Sequence, residues 1–376
     1  MKVGLLFPMS NAYPTIGQDF MDGWNSLFKL HGINDITVLK EGIGFGGVEK
    51  EVYLKAEKLL ISDDVDVLVA YADEKVLPVL YPLAMATGKI LLAVNPGANY
   101  PLNWITQPTV IHLNLQHAFL CRLTGALAAV SGNGKAALAT THYDCGYLHS
   151  AAMVNHFMEK GGSIQYNYIN KQAYDAAFEI SALTGFLSSQ TDCNNLLCVF
   201  DTLPAALFYQ LMNQDQAGRP LHLFVSPMML QEKAEAAITN GVPYTVDGYL
   251  PWYQEMPSAA NAAFIKACSR PATIFSLLGW ETALVLQALL QLGDATNGEA
   301  AAAHLKATVL QSPRGTLQLD AATQFYIAPV AKYSLQAGAT APQIEWITDL
   351  EKEWQSFTAL PTEGAVTGWT NTYLCY

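Results

Sequence analysis

Short apolar runs alternate with helix-period segments from the first residues of the chain to about position 226, and that alternation leaves few folds open. Residues 2–8 (KVGLLFP) are almost wholly apolar, which suits a strand buried on both faces. Phe20, Trp24, Leu27 and Phe28 follow on one helical face, and 35–40 (DITVLK) reads as the next strand. Val48, Val52, Ala56, Leu59 and Leu60 repeat at helical spacing before a third strand at 65–72. A helix containing Pro78 and Pro82 leads to a fourth strand at 89–94. After a helix at about 115–130 the pattern restarts, with strands at 135–142, 163–169, 195–201 and 221–226 separated by helical stretches. Strands alternating with helices build parallel sheets covered on both faces, and two such series predict two doubly wound α/β lobes.

From position 247 the pattern changes. A strand-like 247–253 precedes helical stretches at about 258–268, 273–292 and 298–310. Residues 312–336 then read as strands joined by turns, and 344–355 ends in a helix. In an open parallel sheet, ligands bind beyond the carboxyl ends of the strands, where helix N-termini converge. Loops lie at such ends at 8–18, 71–75, 95–100, 143–147, 201–204 and 226–229, and Tyr, Asn, Asp, Ser, Thr and Gly recur in them. The loop at 95–100 is abrupt. The apolar run ILLAV gives way to Asn-Pro-Gly-Ala-Asn-Tyr, which predicts one wall of a site between the lobes.

Composition narrows what such a site does. The 376 residues are 51% hydrophobic and 14% charged, with a net charge of −12. Nucleic-acid binding needs clustered Lys and Arg, and no basic cluster here exceeds a pair, so no nucleic-acid partner is expected. Residues 274–292 are long and apolar, yet Glu281, Gln287, Gln291 and an amphipathic spacing predict a buried helix and not a membrane span. The opening MKVGLLFPMSNAYP reads as a first strand without a leader's separate apolar segment and cleavage site. The expectation is therefore a cytosolic chain, or one that begins where a leader was removed.

Motifs for chemistry are thin. GIGFGG at 42–47 matches Gly-x-Gly-x-x-Gly, but it follows the second strand and lacks an acid at the expected distance, so it reads as a turn. SGNGKAAL near 131 lacks the first glycine and the hydroxyl residue of a phosphate loop, and neither Gly-x-Ser-x-Gly nor His-Glu-x-x-His occurs. His142, at a strand end, reads as a wall residue. Asp144 and Asp201 read as turn acids, helix caps or partners for a ligand cation, and Cys145 has no assigned base. The Cys at 121, 145, 193, 198, 268 and 375 fit no zinc or redox spacing and read as buried free thiols, a 193–198 bridge being the alternative. No catalytic residue, metal or cofactor is expected, and the chain does not read as an enzyme.

Four stretches, in this order, resemble a known family. KVGLLFPMSNAYPTIGQDFMDGW resembles an opening strand, Ser-Gly loop and helix, with Asn11 where Gly is usual. ILLAVNPGANYP resembles a Ser-Pro-Ala-Ala-Thr-Asn-Pro loop, and THYDCGYLHSAAMVNHFMEKGG a strand end marked by Asp-x-x-Tyr-Gly. SPRGTLQLDAATQFY resembles a Thr-Pro-x-Gly segment, with Leu319 where Phe is usual. The family is that of the type I periplasmic binding proteins, in the leucine/isoleucine/valine-binding branch of ABC-transporter receptors. The resemblance implies lobes of 1–119 plus 250–329 and of 120–249 plus 330–376, joined by a three-crossing hinge. It also implies a periplasmic or extracytoplasmic location, a permease partner, and capture of a small ligand by hinge closure.

The resemblance places a carboxylate-binding loop on Asn95, Gly97, Ala98 and Asn99. A Ser-rich loop of the family falls on Ala72, Asp73 and Glu74, where acids would repel a carboxylate. The second lobe's Tyr-Gly falls on Cys145 and Gly146, with Tyr143 or Tyr147 as the replacing aromatic. A family Glu that pairs with a ligand ammonium is replaced by Met228, which suits an apolar or aromatic ligand part. Either Asp73, Glu74 or Asp201 supplies the counter-charge, or the ligand has no ammonium. Tyr13, Tyr71 and Trp252 line the cleft or pack in the core and hinge. The expected ligand is an amino acid or related carboxylate. A ligand-sensing regulator of the same fold, like the family's cytosolic amide sensor, is the alternative.

Overall fold

Lys2–Phe7 (β1), Thr37–Gly42 (β2), Val67–Tyr71 (β3), Ile90–Asn95 (β4) and Val110–Asn114 (β5) form a wholly parallel sheet in the order β2-β1-β3-β4-β5. The computed structural model describes the chain except residues 102, 105, 143–147, 171–177, 215–218, 360–372 and 374–376. β3, β4 and β5 are buried at every residue, whereas β2 is an exposed edge. Alternate side chains of each strand serve opposite faces. Val3, Leu5, Val67, Val69 and Leu92 pack with Ile16–His31 (α1) and with three later helices, Ala259–Ala267 (α9), Ile274–Leu292 (α10) and Gly298–Ala307 (α11). Leu6, Leu68, Ala70, Leu91 and Ala93 face Glu49–Glu57 (α2) and Tyr81–Thr87 (α3).

α1 and α10 cross almost backbone to backbone. A Cβ at Gly23 would lie 1.8 Å from the Ser276 carbonyl oxygen, and one at Gly279 1.8 Å from that of Phe20. Only glycine permits that approach, so both mid-helix glycines are packing requirements. α10 is 83% buried as a core helix of this lobe. Its Glu281 makes a bidentate pair with the equally buried Arg314 (Oε1–Nε 2.7 Å, Oε2–Nη2 3.0 Å), and Arg314 also donates to the Asn114 carbonyl at 3.2 Å.

The second sheet takes Lys135–Thr141 (β6), Ser163–Asn170 (β7), Asn195–Val199 (β8), His222–Val225 (β9) and Thr245–Leu250 (β10) in parallel. Val330–Leu335 (β14) and Gln343–Ile347 (β15) add an antiparallel edge, giving the order β15-β14-β10-β9-β8-β6-β7. His117–Ala129 (α4) and Leu148–Glu159 (α5) cover one face through Cys121, Met153 and Phe157. Ser181–Ser189 (α6), Thr202–Gln214 (α7) and Glu232–Ala236 (α8) cover the other. Leu310–Ser312 (β11), Gly315–Leu319 (β12) and Tyr326–Ile327 (β13) form a small antiparallel sheet. The chain thus leaves the first sheet after β5, returns through α9–α11 after β10, and leaves again between β13 and β14. Glu351–Thr358 (α12) packs through Trp354 and Phe357 on Phe119 of α4 and on Trp104.

Two-lobed α/β architecture is what the alternation predicts, but β5 has no counterpart in that reading. VIHLN carries His112 and Asn114 among only five residues. It becomes a strand because β4 offers it a ladder and because both polar groups find partners. GIGFGG is a turn, with Gly44 and Gly46 at φ +55° and +70°. Cys121, Cys193, Cys198 and Cys268 are free thiols, so the 193–198 bridge is not formed, while Cys145 and Cys375 lie outside the described residues.

Candidate functional site

Asn95, the last residue of β4, folds its side chain back on the loop that follows. Its Oδ1 accepts the Gly97 N–H at 2.7 Å, an Asx turn. Its Nδ2 donates to the Ala72 carbonyl at 3.2 Å and to Glu74 Oε1 at 3.3 Å. Gly97 sits at φ +77°, and a Cβ there would come 2.7 Å from the Gln116 nitrogen. The β3 and β4 loops are therefore one hydrogen-bonded unit.

The acids in that unit are engaged by neutral and imidazole groups. Asp73 accepts from Asn99 Nδ2 at 3.2 Å and from the Lys75 N–H at 2.9 Å. Burial pushes the Asp73 carboxyl up to about 6; the bonds from Lys75 and Asn99 pull against it, and neighbouring Glu74 adds to the rise. Glu74 Oε1 also meets His112 Nδ1 of β5 at 3.2 Å, and Glu74 Oε2 is buried without a partner among the described residues.

The same loop reaches the second lobe. The first N–H groups of a helix have no intrahelical acceptor. In α4 those of His117 and Ala118 donate to the Pro96 and Gly97 carbonyls at 3.3 and 2.8 Å. In α5 Leu148 N–H donates to Asn99 Oδ1 at 3.3 Å, and His149 N–H to the Ala98 carbonyl at 3.1 Å. In this arrangement residues 96–99 act as acceptors that join the lobes.

Tyr13, in the loop between β1 and α1, is half-buried. Its ring lies 5.3 Å from that of Phe275 at the start of α10 and 5.0 Å from that of Tyr373. Tyr71 ends β3 fully buried against Phe20, its hydroxyl unpartnered among the described residues. Met228, in the turn Pro227–Leu230 after β9, is buried in the same cluster as Tyr71, Trp252, Phe275 and Tyr373. Trp252 lies in the return crossing, with its indole N–H on Asn261 Oδ1 at 2.8 Å and its ring against Phe264. Asp201 is buried at the start of α7, where its carbonyl accepts the Ala205 N–H. Ala72 and Ala98 are buried in the first lobe's loops. Tyr143, Cys145 and Tyr147 lie outside the described residues. The structure thus sets Tyr13 in a ring cluster with Phe275 and Tyr373, buries Tyr71 and Met228 in the same lobe core, and sets Asp73, Glu74, Asn95 and Asn99 in one polar cluster.

Four further residues complete the ring cluster: His117, Gln231, Phe275 and Tyr373. The Tyr373 hydroxyl lies 2.9 Å from His117 Nδ1 and 3.4 Å from Gln231 Oε1, and its ring is edge-on to Phe275 and His117. Burial pushes His117 down to about 3 and His149 to about 4, so both imidazoles are neutral at ordinary pH. Gln231 also lines a cavity of about 470 Å³ with Glu235, Trp252, Tyr253, Thr273 and Ile274. Phe275 stood within a helical pattern in the sequence, but nothing there distinguishes a core ring from a site ring. Tyr373 stands in a stretch with no period at all.

Elements cross between the two sheets, and a polar loop lies where they do so. A family model described as periplasmic binding protein matches residues 1–340. The chain belongs to the periplasmic binding protein family, type I. Among solved structures it is similar to an ABC-transporter solute-binding protein from R. palustris in complex with benzoate, at 21% identity and a TM-score of 0.70, covering 93% of this chain and 97% of that one. An ABC-transporter substrate-binding protein from Sphaerobacter thermophilus aligns at 14% identity and a TM-score of 0.77, over 93% and 98% of the two chains. A leucine-binding protein from Thermotoga maritima aligns at 14% identity and 0.67, over 93% and 99%. At such identities the likeness is one of fold. A comparison with curated protein sequences gives no match.

Proposed function

We propose that this chain is the extracytoplasmic receptor of an ABC transporter, holding a small aromatic or apolar carboxylate between its lobes and delivering it to a membrane permease. The observation that carries the reading is the ring cluster in which Tyr13, Phe275 and His117 surround a phenol, set in the same core as Tyr71 and Met228. Asp73 and Glu74 are engaged by Asn99, Asn95 and His112, so an aromatic ring is better matched here than a ligand ammonium. The benzoate held by the R. palustris protein supports the same ligand chemistry.

The lobes are taken as 1–119 with 250–329 and 120–249 with 330–376. Closure about the three crossings brings the Ala98 carbonyl and the Asn99 Oδ1 onto the start of α5. A ligand favours that state only to the extent that it binds it better than the open one. Binding is then a closing event without chemistry, fixed by a few polar groups in a largely apolar cleft. Of the positions expected to line the site, Tyr13, Tyr71, Asn99 and Met228 are assigned to ligand contact, and Trp252 to the hinge.

A thermal-shift screen of benzoate, 4-hydroxybenzoate, phenylalanine and leucine tests this. A ligand at a hundred times its dissociation constant stabilises by about 2.7 kcal/mol. A shift with the aromatic acids is the expected result. A shift with leucine alone overturns the ring reading, and no shift with any of them overturns the receptor reading.

A further inference from the structure

We propose that Ser131, His222 and Asp247 form a second, catalytic site on this chain, which transfers the acyl group of a small uncharged ester to Ser131 and then to water. Ser131 Oγ lies 3.2 Å from His222 Nδ1, and His222 Nε2 lies 2.7 Å from Asp247 Oδ2. A carboxylate only accepts, so the Asp247 bond holds the imidazole proton on Nε2. Nδ1 is then left to accept the Ser131 hydroxyl proton. Nucleophile, base and orienting acid stand in one hydrogen-bonded line, the arrangement that activates a serine on unrelated folds. The three residues come from the loop after α4, the first position of β9 and the third position of β10. All lie at the amino-terminal edge of the second sheet, the opposite end from the loops at 201–204 and 226–229. The site is therefore separate from the lobe junction and does not rest on the receptor reading.

The backbone of Ser131 is fixed on both sides. Its N–H donates to the Ala128 carbonyl at 3.2 Å, and its carbonyl accepts the Gly134 N–H at 3.3 Å and Asn195 Nδ2 at 2.9 Å. The turn that follows puts Gly132 at φ +59°. Asn133 pins that turn, its Oδ1 accepting the Lys135 N–H at 3.1 Å and its Nδ2 donating to the Asp192 carbonyl at 2.7 Å. Among the described residues the N–H groups of Gly132 and Asn133 have no acceptor, which leaves two donors beside the nucleophile for a carbonyl oxygen that gains negative charge. The His222 ring stacks on Phe224 at 4.0 Å, yet 25% of its side chain stays exposed, so an ester and water reach it. Asp247 Oδ1 is buried and without a partner among the described residues. A link that only tied β9 to β10 would cost less with a neutral side chain, because a buried carboxylate oxygen lacking a donor is unfavourable. A carboxylate is what the imidazolium needs when His222 takes the serine proton. Among the described residues no Lys or Arg pairs with Asp247, so the site disfavours an anionic ester.

In the first half of the reaction Ser131 Oγ adds to the ester carbonyl carbon while His222 Nδ1 takes its proton. The bond from that carbon to the alcohol oxygen breaks, and His222 gives the proton to the leaving oxygen. Water then attacks the acyl-serine, losing a proton to the same nitrogen. The acid leaves and Ser131 regains its proton, so the sum is ester plus water giving acid plus alcohol. Ser131 and His222 are the catalytic residues, and Asp247 is a positioning residue.

The test treats the full wild-type chain with a fluorophosphonate probe and locates the label by peptide mass spectrometry. The expected result is a label on Ser131. Turnover of 4-nitrophenyl acetate is the second readout. Ser131→Ala and His222→Gln should each lose about a hundredfold in kcat/KM. Asp247→Asn should lose about as much, and Asp247→Glu, which keeps the carboxylate, should recover about tenfold of that loss. No label on Ser131, or equal turnover by wild type and Ser131→Ala, overturns the inference. The labelling uses no variant, so it decides the matter even where a substituted chain does not fold. Either failure leaves the receptor reading standing, since the ligand screen tests that reading at the other end of the sheet.

Discussion

Asn99 links the lobes to Leu148: its Oδ1 accepts the first N–H of α5 at 3.3 Å while its Nδ2 donates to Asp73 at 3.2 Å. Asn99→Ala leaves a helix donor and a buried carboxylate each short of a partner, at about 1–3 kcal/mol. The cost falls on the arrangement in which the lobes touch. The variant is expected to scatter as a more open particle in small-angle X-ray measurements and to bind any ligand the wild type captures about tenfold more weakly. Identical scattering and affinity would show that the contact does not hold the lobes.

Asp73 gives this junction a pH dependence of predictable sign. Burial raises its carboxyl from 3.8 to about 6, so between those values the folded protein holds a proton that the unfolded chain releases. Its contribution to stability therefore falls as pH rises through that window and is unfavourable by about 3 kcal/mol above it. His117 and His149 act the opposite way: both are depressed by burial, and their contribution is lost as pH falls below about 6.5. The informative quantity is thus the difference between Asp73→Asn and wild type in urea unfolding. The variant's advantage should grow by about 3 kcal/mol between about pH 4 and 7, and a constant difference would contradict the assignment.

Two helical glycines should respond oppositely to alanine. In Gly279→Ala the new methyl meets the Phe20 carbonyl at 1.8 Å, so α1 and α10 must separate, at a cost of about 3 kcal/mol or more. Gly185 in α6 has nothing within 4 Å of its Cβ position, and Gly185→Ala should stabilise by about 0.5–1 kcal/mol through the unfolded chain's lost freedom. Denaturant midpoints of the two variants check both signs.

Glu281 and Arg314 are both fully buried, so neither is tolerated without the other. Glu281→Gln should cost about 3–5 kcal/mol by stranding the guanidinium, whereas Glu281→Met with Arg314→Met should recover most of that loss. A double variant as unstable as the single one would mean that Arg314 is needed mainly for its bond to the Asn114 carbonyl.

Much of the frame is legible from residue order. The buried runs of β1, β3 and β4 declare themselves as strands because a strand covered on both faces admits almost nothing polar. Glu281, with Gln287, Gln291 and the amphipathic spacing, argues α10 out of a membrane and into a core, where such an acid needs a partner. The sequence does not name the partner: Arg314 arrives by way of the β11–β12 turn. β14 reads as a strand and β15 does not, and nothing local says that both join the second sheet and run antiparallel there.

The candidate site divides along the same line. Local pattern was enough to place the abrupt loop after β4, because a strand end and turn residues such as Asn95 and Gly97 are set by their neighbours in sequence. Tertiary structure alone decided what that loop does and what lies around it. The Pro96, Gly97 and Ala98 carbonyls and Asn99 Oδ1 serve helices α4 and α5, β5 exists because Glu74 and the ladder accept it, and Tyr373 lies among Tyr13, His117 and Phe275. Periodicity reports which face of an element is buried. It carries no information about contacts between residues hundreds of positions apart, and the ring cluster is made of such contacts.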